Sequence, residues 1–126
     1  MSNQSYRILI AEDFEDNRIA LKLMLKLAGF EVLEAADGQQ ALDQVRNERP
    51  DLVLMDISLP MLDGLEATRS LRAEPEFERL PIIVVSAYDS PESHQEALDA
   101  GGTAYISKPI DFEELKQMIM TYLGTP

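Results

Sequence analysis

The sequence predicts a doubly wound α/β domain, with five parallel strands in the order 2-1-3-4-5 between two layers of helices. Apolar runs alternate with helical patterns from end to end, as in a ladder of strand and helix units. Residues 52–55 (Leu-Val-Leu-Met) and 82–85 (Ile-Ile-Val-Val) are continuously apolar, which is typical of central strands covered on both faces. With 126 residues, 45% of them hydrophobic, the chain fits one domain over residues 1–126, and no output domain is expected.

Five segments have the composition of strands and are bounded by polar or turn-forming residues. They are Arg7–Ala11, Val32–Ala35, Leu52–Asp56, Ile82–Ser86 and Ala104–Ser107. Parallel neighbours need right-handed crossover connections, so we expect helices on both faces of the sheet. In this strand order, ligands bind beyond the carboxyl ends of the strands, where the order reverses between strands one and three.

The helices are predicted from capping residues and from apolar residues at helical spacing. The first helix should run from about Asp16 to Ala28 and end at Gly29. Its predicted inward stripe consists of Ala20, Leu23, Met24 and Leu27. The starts of the four later helices are indicated by Asp37 with Gln40, Asp63-Gly64, Ser90-Pro91, and Asp111 with Glu114.

Composition excludes several classes of function. The formal charge of -12 opposes binding to nucleic acid or to an anionic membrane, so a protein partner is expected. The apolar runs are too short to cross a bilayer, which favours a soluble, cytoplasmic protein. Without cysteine and with one histidine, a zinc site is improbable, and any metal should be hard and oxygen-ligated.

Four of the predicted strands end in residues that carry chemistry. Glu12-Asp13 follows strand one, Asp56 ends strand three, Ser86 ends strand four and Lys108 follows strand five. Each residue alone is most simply a solvated or capping group. Because the carboxyl ends of parallel strands lie at one edge of the sheet, their joint placement indicates a site.

These residue types favour magnesium and phosphate chemistry. Converging carboxylates repel one another, and a divalent cation with oxygen ligands relieves the repulsion. Asp13 and Asp56 are the best direct ligands, with Glu12 acting through water. A carboxylate can also attack a phosphodonor, a role that we assign to Asp56. Lys108 can neutralise one phosphoryl oxygen, and the Ser86 hydroxyl can donate a hydrogen bond to another.

The ordered set resembles the receiver domains of two-component response regulators over essentially the whole chain. The resemblance is carried by Glu12-Asp13, by residues 56–64 (Asp-Ile-Ser-Leu-Pro-Met-Leu-Asp-Gly), by Ser86-Ala87 and by Lys108-Pro109. It implies the flavodoxin-like (βα)5 sandwich and Asp56 as the phosphoacceptor. The implied magnesium site consists of Glu12, Asp13, Asp56 and the backbone carbonyl of Ser58, with Mn2+ as an alternative ion.

The same resemblance implies a signalling switch rather than an enzyme, one that catalyses only its own phosphorylation and dephosphorylation. Ser86 and Lys108 are then the phosphoryl sensors, Tyr105 occupies the aromatic switch position, and Lys108-Pro109 is a cis peptide. The implied phosphodonor is a histidine kinase or a histidine phosphotransfer protein. A downstream target protein is expected on the face made by helix four, strand five and helix five, as in chemotaxis regulators or phosphorelay proteins.

Two other functions use the same fold class. A magnesium-dependent aspartyl-phosphate phosphatase also has a strand-end Asp, but it needs a second acid two residues later, where this chain has Ser58. A flavodoxin-like flavin carrier needs a phosphate-binding loop after strand one, where the four acids of residues 12–16 (Glu-Asp-Phe-Glu-Asp) would repel phosphate.

Overall fold

The computed structural model describes residues 5–124, so the ends of the predicted domain, residues 1–4 and 125–126, lie outside the described residues. Its parallel sheet has the strand order β2-β1-β3-β4-β5, as predicted. The strands are β1 (Arg7–Ala11), β2 (Glu31–Ala35), β3 (Leu52–Asp56), β4 (Ile82–Ser86) and β5 (Ala104–Ser107). Every residue of β3 and β4 is buried, which confirms that these two apolar runs are central strands.

The α-helices alternate with the strands along the chain. They are α1 (Glu15–Leu27), α2 (Gly38–Glu48), α3 (Gly64–Arg72), α4 (Pro91–Asp99) and α5 (Phe112–Leu123). A short 3-10 helix, Pro75–Phe77, precedes β4. The predicted caps are confirmed, because the side chains of Asp37, Asp63, Ser90 and Asp111 each accept a backbone N–H of the first helical turn.

The sheet separates two apolar layers. One layer packs α2, α3 and α4 against the sheet through residues such as Val45, Leu71 and Ala97. The other packs α1 and α5 through Leu25 and Leu115. Both faces of the sheet are therefore covered, and its carboxyl edge is left for a site.

The predicted inward stripe of α1 is wrong. Leu23 is 57% exposed and Leu27 is 89% exposed, whereas Leu25 is fully buried and Leu21 packs beside it. Apolar residues occur at most positions between 19 and 28, so helical spacing admits more than one inward face. Packing against the sheet selects Leu21 and Leu25 and leaves an apolar face of α1 exposed.

Within residues 5–124, no helix combines the length and the apolar character that a membrane span requires.

Candidate phosphoryl-acceptor site

Strand register brings the predicted residues to one edge of the sheet. Ala11 pairs with Met55, so Glu12 follows β1 beside the end of β3, which is Asp56. Ser86 pairs with Ser107, so Lys108 follows β5 beside the end of β4. The ligand position expected from the strand order is thus lined by residues from four different strand ends.

Asp56 is buried at the centre of this edge and is 3% exposed. Its Oδ1 accepts the backbone N–H of Ser58 at 2.8 Å, and its Oδ2 accepts the Lys108 ammonium at 2.5 Å. Both carboxylate oxygens are therefore oriented by donors. A carboxylate oriented in this way can act as a nucleophile.

Lys108 bridges the two buried carboxylates. Its Nζ also lies 3.3 Å from Oε1 of Glu12. Burial alone would lower the pKa of the Lys108 ammonium, but hydrogen bonding to Asp56 and the charges of Asp56 and Glu12 outweigh burial, so the pKa is raised. Lys108 is thus held in its charged form, and its peptide bond to Pro109 is cis, as the resemblance implies.

Glu12 is the second buried acid and is 4% exposed. Its Oε2 accepts the backbone N–H of Phe14 at 3.0 Å. Burial and the neighbouring charge of Asp56 raise the pKa of the Glu12 carboxyl, and the Phe14 hydrogen bond and Lys108 only partly oppose this. The site therefore holds more negative charge than Lys108 compensates, which is the condition that a bound cation relieves.

Asp13 and Ser58 lie at the exposed rim of the site. Among the residues that the structure describes, no three His, Cys, Asp or Glu side chains are grouped as a metal site. The structure thus brings Glu12, Asp56 and Lys108 into direct contact and leaves Asp13 outside that contact. Two buried carboxylates with an uncompensated charge form a hard oxygen donor set, which fits magnesium.

Ser86 and Tyr105 are connected through Tyr88, two residues after Ser86. Ser86 is 3% exposed, and its Oγ accepts the backbone N–H of Tyr88 at 3.0 Å. The Tyr105 hydroxyl donates to the backbone carbonyl of the same Tyr88. The Tyr105 ring also stacks on His94, a contact for which the sequence offers no signal because it joins β5 to α4.

A cavity of about 480 Å³ opens beside the buried acids. It lies between α1 and the connection from β5 to α5, and it is lined by Glu12, Asn17, Ala20, Leu21, Met24, Lys108, Pro109 and Ile110. Helical spacing placed Ala20 and Met24 on the inward stripe of α1, so the sequence did not predict that they line a cavity beside the site. The exposed apolar face of α1 is consequently continuous with the approach to Lys108.

Known proteins are similar to this chain over nearly its full length. A family model described as the response regulator receiver domain matches residues 8–120. The polar-differentiation response regulator DivK of Brucella anthropi is 38% identical over 117 residues, which cover 93% of this chain and 95% of that protein. The DivK protein of Brucella ovis is 37% identical over the same length.

Solved structures agree with this likeness. The receiver domain of a sensor histidine kinase from Pseudomonas aeruginosa PAO1 is 35% identical to this chain, with a TM-score of 0.88. The match covers 97% of this chain and 100% of that one, and that structure has a magnesium ion coordinated in its active site cleft. The chemotaxis response regulator CheY4 of Vibrio cholerae is 29% identical with a TM-score of 0.89, covering 95% of this chain and 100% of that one.

These matches decide between the functions that share this fold class. Receiver domains take phosphoryl groups from histidine kinases and act on downstream targets, so the chain is a phospho-accepting signalling switch of the DivK and CheY type and not a conventional enzyme. Neither the phosphatase nor the flavin carrier finds support. The chain belongs to the response regulator receiver domain family.

Proposed function

We propose that Asp56 is the phosphoacceptor. The observation that carries this proposal is the placement of Asp56, buried at the end of β3 with a backbone amide on one oxygen and the Lys108 ammonium on the other. A carboxylate oxygen of Asp56 attacks the phosphorus of a phosphohistidine, the new O–P bond forms, and the N–P bond breaks to release histidine. The donor is a histidine kinase or a histidine phosphotransfer protein, and the chain itself catalyses the transfer and the later hydrolysis.

Magnesium, or Mn2+ in its place, would be held by Glu12, Asp13, Asp56 and the backbone carbonyl of Ser58. The raised pKa of Glu12 beside Asp56 supports this assignment, because a bound cation would stabilise the ionised form that burial and the charge of Asp56 disfavour. When bound, the cation lowers the charge barrier to an approaching phosphodonor. The metal seen in the Pseudomonas receiver domain supports the same choice of ion.

Lys108 and Ser86 would bind the transferred phosphoryl group. Lys108 already contacts Asp56, so it can exchange the carboxylate for a phosphoryl oxygen without leaving the site. Ser86 lies at the end of the adjacent strand, where its hydroxyl can donate to a second oxygen. Its Oγ also accepts the Tyr88 amide, so a shift of Ser86 toward the phosphoryl group would couple that group to the connection between β4 and α4.

The phosphodonor would dock on the exposed apolar face of α1. Ala20 and Met24 line the cavity that is also lined by Glu12 and Lys108. Because Lys108 contacts Asp56, this face adjoins the proposed acceptor. Leu23 and Leu27 extend it with exposed apolar side chains. An apolar helix carrying the phosphohistidine would cover this face while its phosphoryl group reaches Asp56.

The output would leave through α4, β5 and α5. Tyr105 lies on β5, three residues before Lys108, and its hydroxyl contacts the same Tyr88 whose amide contacts Ser86. Movement of Ser86 toward the phosphoryl group would alter this connection and, with it, the preferred position of the Tyr105 ring. A target protein that prefers the altered position would bind more tightly after phosphorylation.

Small-donor labelling tests the acceptor assignment. With acetyl phosphate and magnesium, intact-protein mass should show one added phosphoryl group in the wild type and in Asp43→Asn, a control with an exposed carboxylate on α2. Asp56→Asn should show none, and omission of magnesium should suppress labelling of the wild type. Unchanged labelling of Asp56→Asn would refute the assignment, and steady turnover of a phosphomonoester would revive the phosphatase.

A further inference from the structure

Arg18 connects α1 to two other segments beside the site. Its Nη1 donates a hydrogen bond to the backbone carbonyl of Glu12 at 2.9 Å, and its Nε donates to Oε1 of Glu34 on β2 at 3.1 Å. The Arg18 side chain is 15% exposed, so both contacts are largely shielded from water. A planar guanidinium that is held by two acceptors has a fixed position and direction.

The backbone of Glu12 is held on both sides. Its N–H donates to the carbonyl of Ala35 at 3.0 Å, and its carbonyl accepts Arg18. That carbonyl belongs to the planar peptide group between Glu12 and Asp13, so the hydrogen bond from Arg18 sets the direction of the whole peptide plane. The Asp13 side chain lies at the exposed rim of the site, and its direction follows from this plane.

Neutralisation of Glu34 does not account for Arg18. Lys22 Nζ lies 2.8 Å from Oε2 of Glu34, and the hydrogen bond from Lys22 is the main reason that the pKa of Glu34 is lowered. What Arg18 supplies and Lys22 does not is the hydrogen bond to the Glu12 carbonyl. Glu34 thus orients Arg18, and Arg18 orients the peptide that precedes Asp13.

We propose that Arg18 is a positioning residue of the magnesium site, which holds the peptide between Glu12 and Asp13 so that the Asp13 carboxylate is presented to the cation. This inference rests on the metal site proposed above. Groups that orient the ligands of a metal typically change its affinity by about ten- to hundredfold when they are removed. A guanidinium has no acceptor atom, so Arg18 acts only through the backbone that it holds.

The sign of the effect distinguishes positioning from charge. By Coulomb attraction alone, removal of a cationic side chain beside an acidic site should strengthen the binding of magnesium. Removal of a positioning residue should weaken it. Arg18→Met loses the guanidinium but keeps an unbranched stem, and the two explanations predict opposite changes for it. The variant should fold, because α1 packs on the sheet through Leu21 and Leu25.

Two variants are matched controls. Lys22→Met removes the same charge from the same helix and leaves the contact between Arg18 and Glu12 in place. Glu34→Gln loosens the contact between α1 and β2 but keeps an amide oxygen that can accept Arg18 Nε. Urea unfolding in EDTA gives the stability of each variant, so that a change in magnesium affinity can be compared with a change in stability.

Calorimetric titration of the metal-free proteins with magnesium is the main measurement. Arg18→Met should bind magnesium about tenfold more weakly than the wild type. Lys22→Met should bind it equally or more tightly, and Glu34→Gln should stay close to the wild type. Equal or tighter binding in Arg18→Met would overturn the positioning role. A loss in Glu34→Gln as large as that in Arg18→Met would also overturn it, because general loosening of α1 would then explain the effect.

Carbon-13 NMR of the Glu12 carbonyl in EDTA is a readout that needs no metal. The signal should shift in Arg18→Met, which removes the donor to that oxygen, and stay near the wild-type position in Lys22→Met. An unchanged signal in Arg18→Met would overturn the proposal, because Arg18 would then not hold this peptide in solution.

Asp13→Ala distinguishes failure of the positioning role from failure of the metal site. Wild-type magnesium affinity in Asp13→Ala would show that Asp13 is not a ligand, so the proposed site and the role of Arg18 would both be wrong. Lost affinity in Asp13→Ala together with wild-type affinity in Arg18→Met would overturn only the positioning role.

Discussion

Lys108 Nζ lies 2.5 Å from Oδ2 of Asp56, although the two residues are 52 positions apart in the sequence. The contact exists because β3 and β5 both flank β4, so their carboxyl ends lie on either side of the same strand. The Lys108 ammonium, beside the carboxylate that we propose as the acceptor, is in place to meet the charge of an incoming phosphoryl group.

Lys108→Ala should separate metal binding from the response. The ammonium supplies no oxygen ligand, so magnesium affinity should be retained or increased. The response of Tyr105 to the phosphoryl mimic beryllofluoride, measured as a shift of its 13C-labelled aromatic signal, should be lost. Magnesium titration and tyrosine spectra measure the two properties, with Lys26→Ala on the exposed side of α1 as the control. Loss of magnesium affinity as complete as that in Asp13→Ala would contradict this division of roles.

Glu12→Gln should stabilise the metal-free protein at neutral pH. Burial, above all, and the charge of Asp56 raise the pKa of Glu12, so its ionised form is unfavourable in the folded state. We expect the free energy of unfolding to rise by on the order of 1 kcal/mol, or roughly 4 °C in the thermal midpoint. Because the pKa of Glu12 is raised in the folded protein, the gain in stability is largest at neutral pH. The gain vanishes as the pH falls below 4.5, the ordinary pKa of this carboxyl.

Thermal melts in EDTA at neutral and acid pH measure this effect. Glu113→Gln is the control, because the Glu113 side chain is 75% exposed. Added magnesium should stabilise the wild type more than Glu12→Gln, since the cation relieves the same repulsion. A wild type that is more stable than Glu12→Gln in EDTA at neutral pH would show that Lys108 already compensates the buried charge.

Glu34→Gln should be destabilising at neutral pH and neutral in acid. Glu34 on β2 accepts hydrogen bonds from two side chains of α1, from Lys22 Nζ at 2.8 Å and from Arg18 Nε at 3.1 Å. The hydrogen bond from Lys22 is the main reason that the pKa of Glu34 is lowered. A carboxyl whose pKa is lowered in the folded protein stabilises the fold when the pH is above its pKa in the unfolded chain. This stabilisation is lost as the pH falls through the pKa in the folded protein. The loss should be about 0.5–1 kcal/mol, because the group is partly exposed.

Denaturant unfolding of Glu34→Gln at neutral pH and at a pH well below 4.5 tests this sign. Glu31→Gln, an exposed change on the same strand, is the control. A loss of equal size at both pH values would mean that packing of the side chain, and not its charge, supplies the stability.

Gly38→Ala should destabilise the protein through a steric conflict near the site. A Cβ at Gly38 would lie 1.7 Å from the backbone oxygen of Leu62, which belongs to the connection between β3 and α3. Relief requires backbone movement, so we expect a loss of about 3 kcal/mol. Gln39→Ala, the exposed neighbour on α2, should remain near the wild type in urea unfolding, and similar midpoints for both variants would contradict the clash.

The sequence by itself determined the strands, the helix caps and the edge of the sheet at which the candidate site lies. The continuous apolar runs of β3 and β4 need no partner to be recognised, since full burial is the only favourable environment for them. The caps at Asp37, Ser90 and Asp111 involve residues two or three positions apart, so local sequence contains the whole interaction. The strand ends indicated one edge because parallel strands bring their carboxyl ends together.

Only the tertiary structure decided the inward face of α1, the position of Asp13 and the contacts of Tyr105. Apolar residues surround much of α1, so periodicity is ambiguous until Leu25 packs against the sheet. Asp13 follows Glu12 directly, yet only Glu12 is buried beside Asp56. The stack of His94 on Tyr105 joins a helix to a strand, and such contacts depend on how the elements pack, which no local pattern of residues encodes.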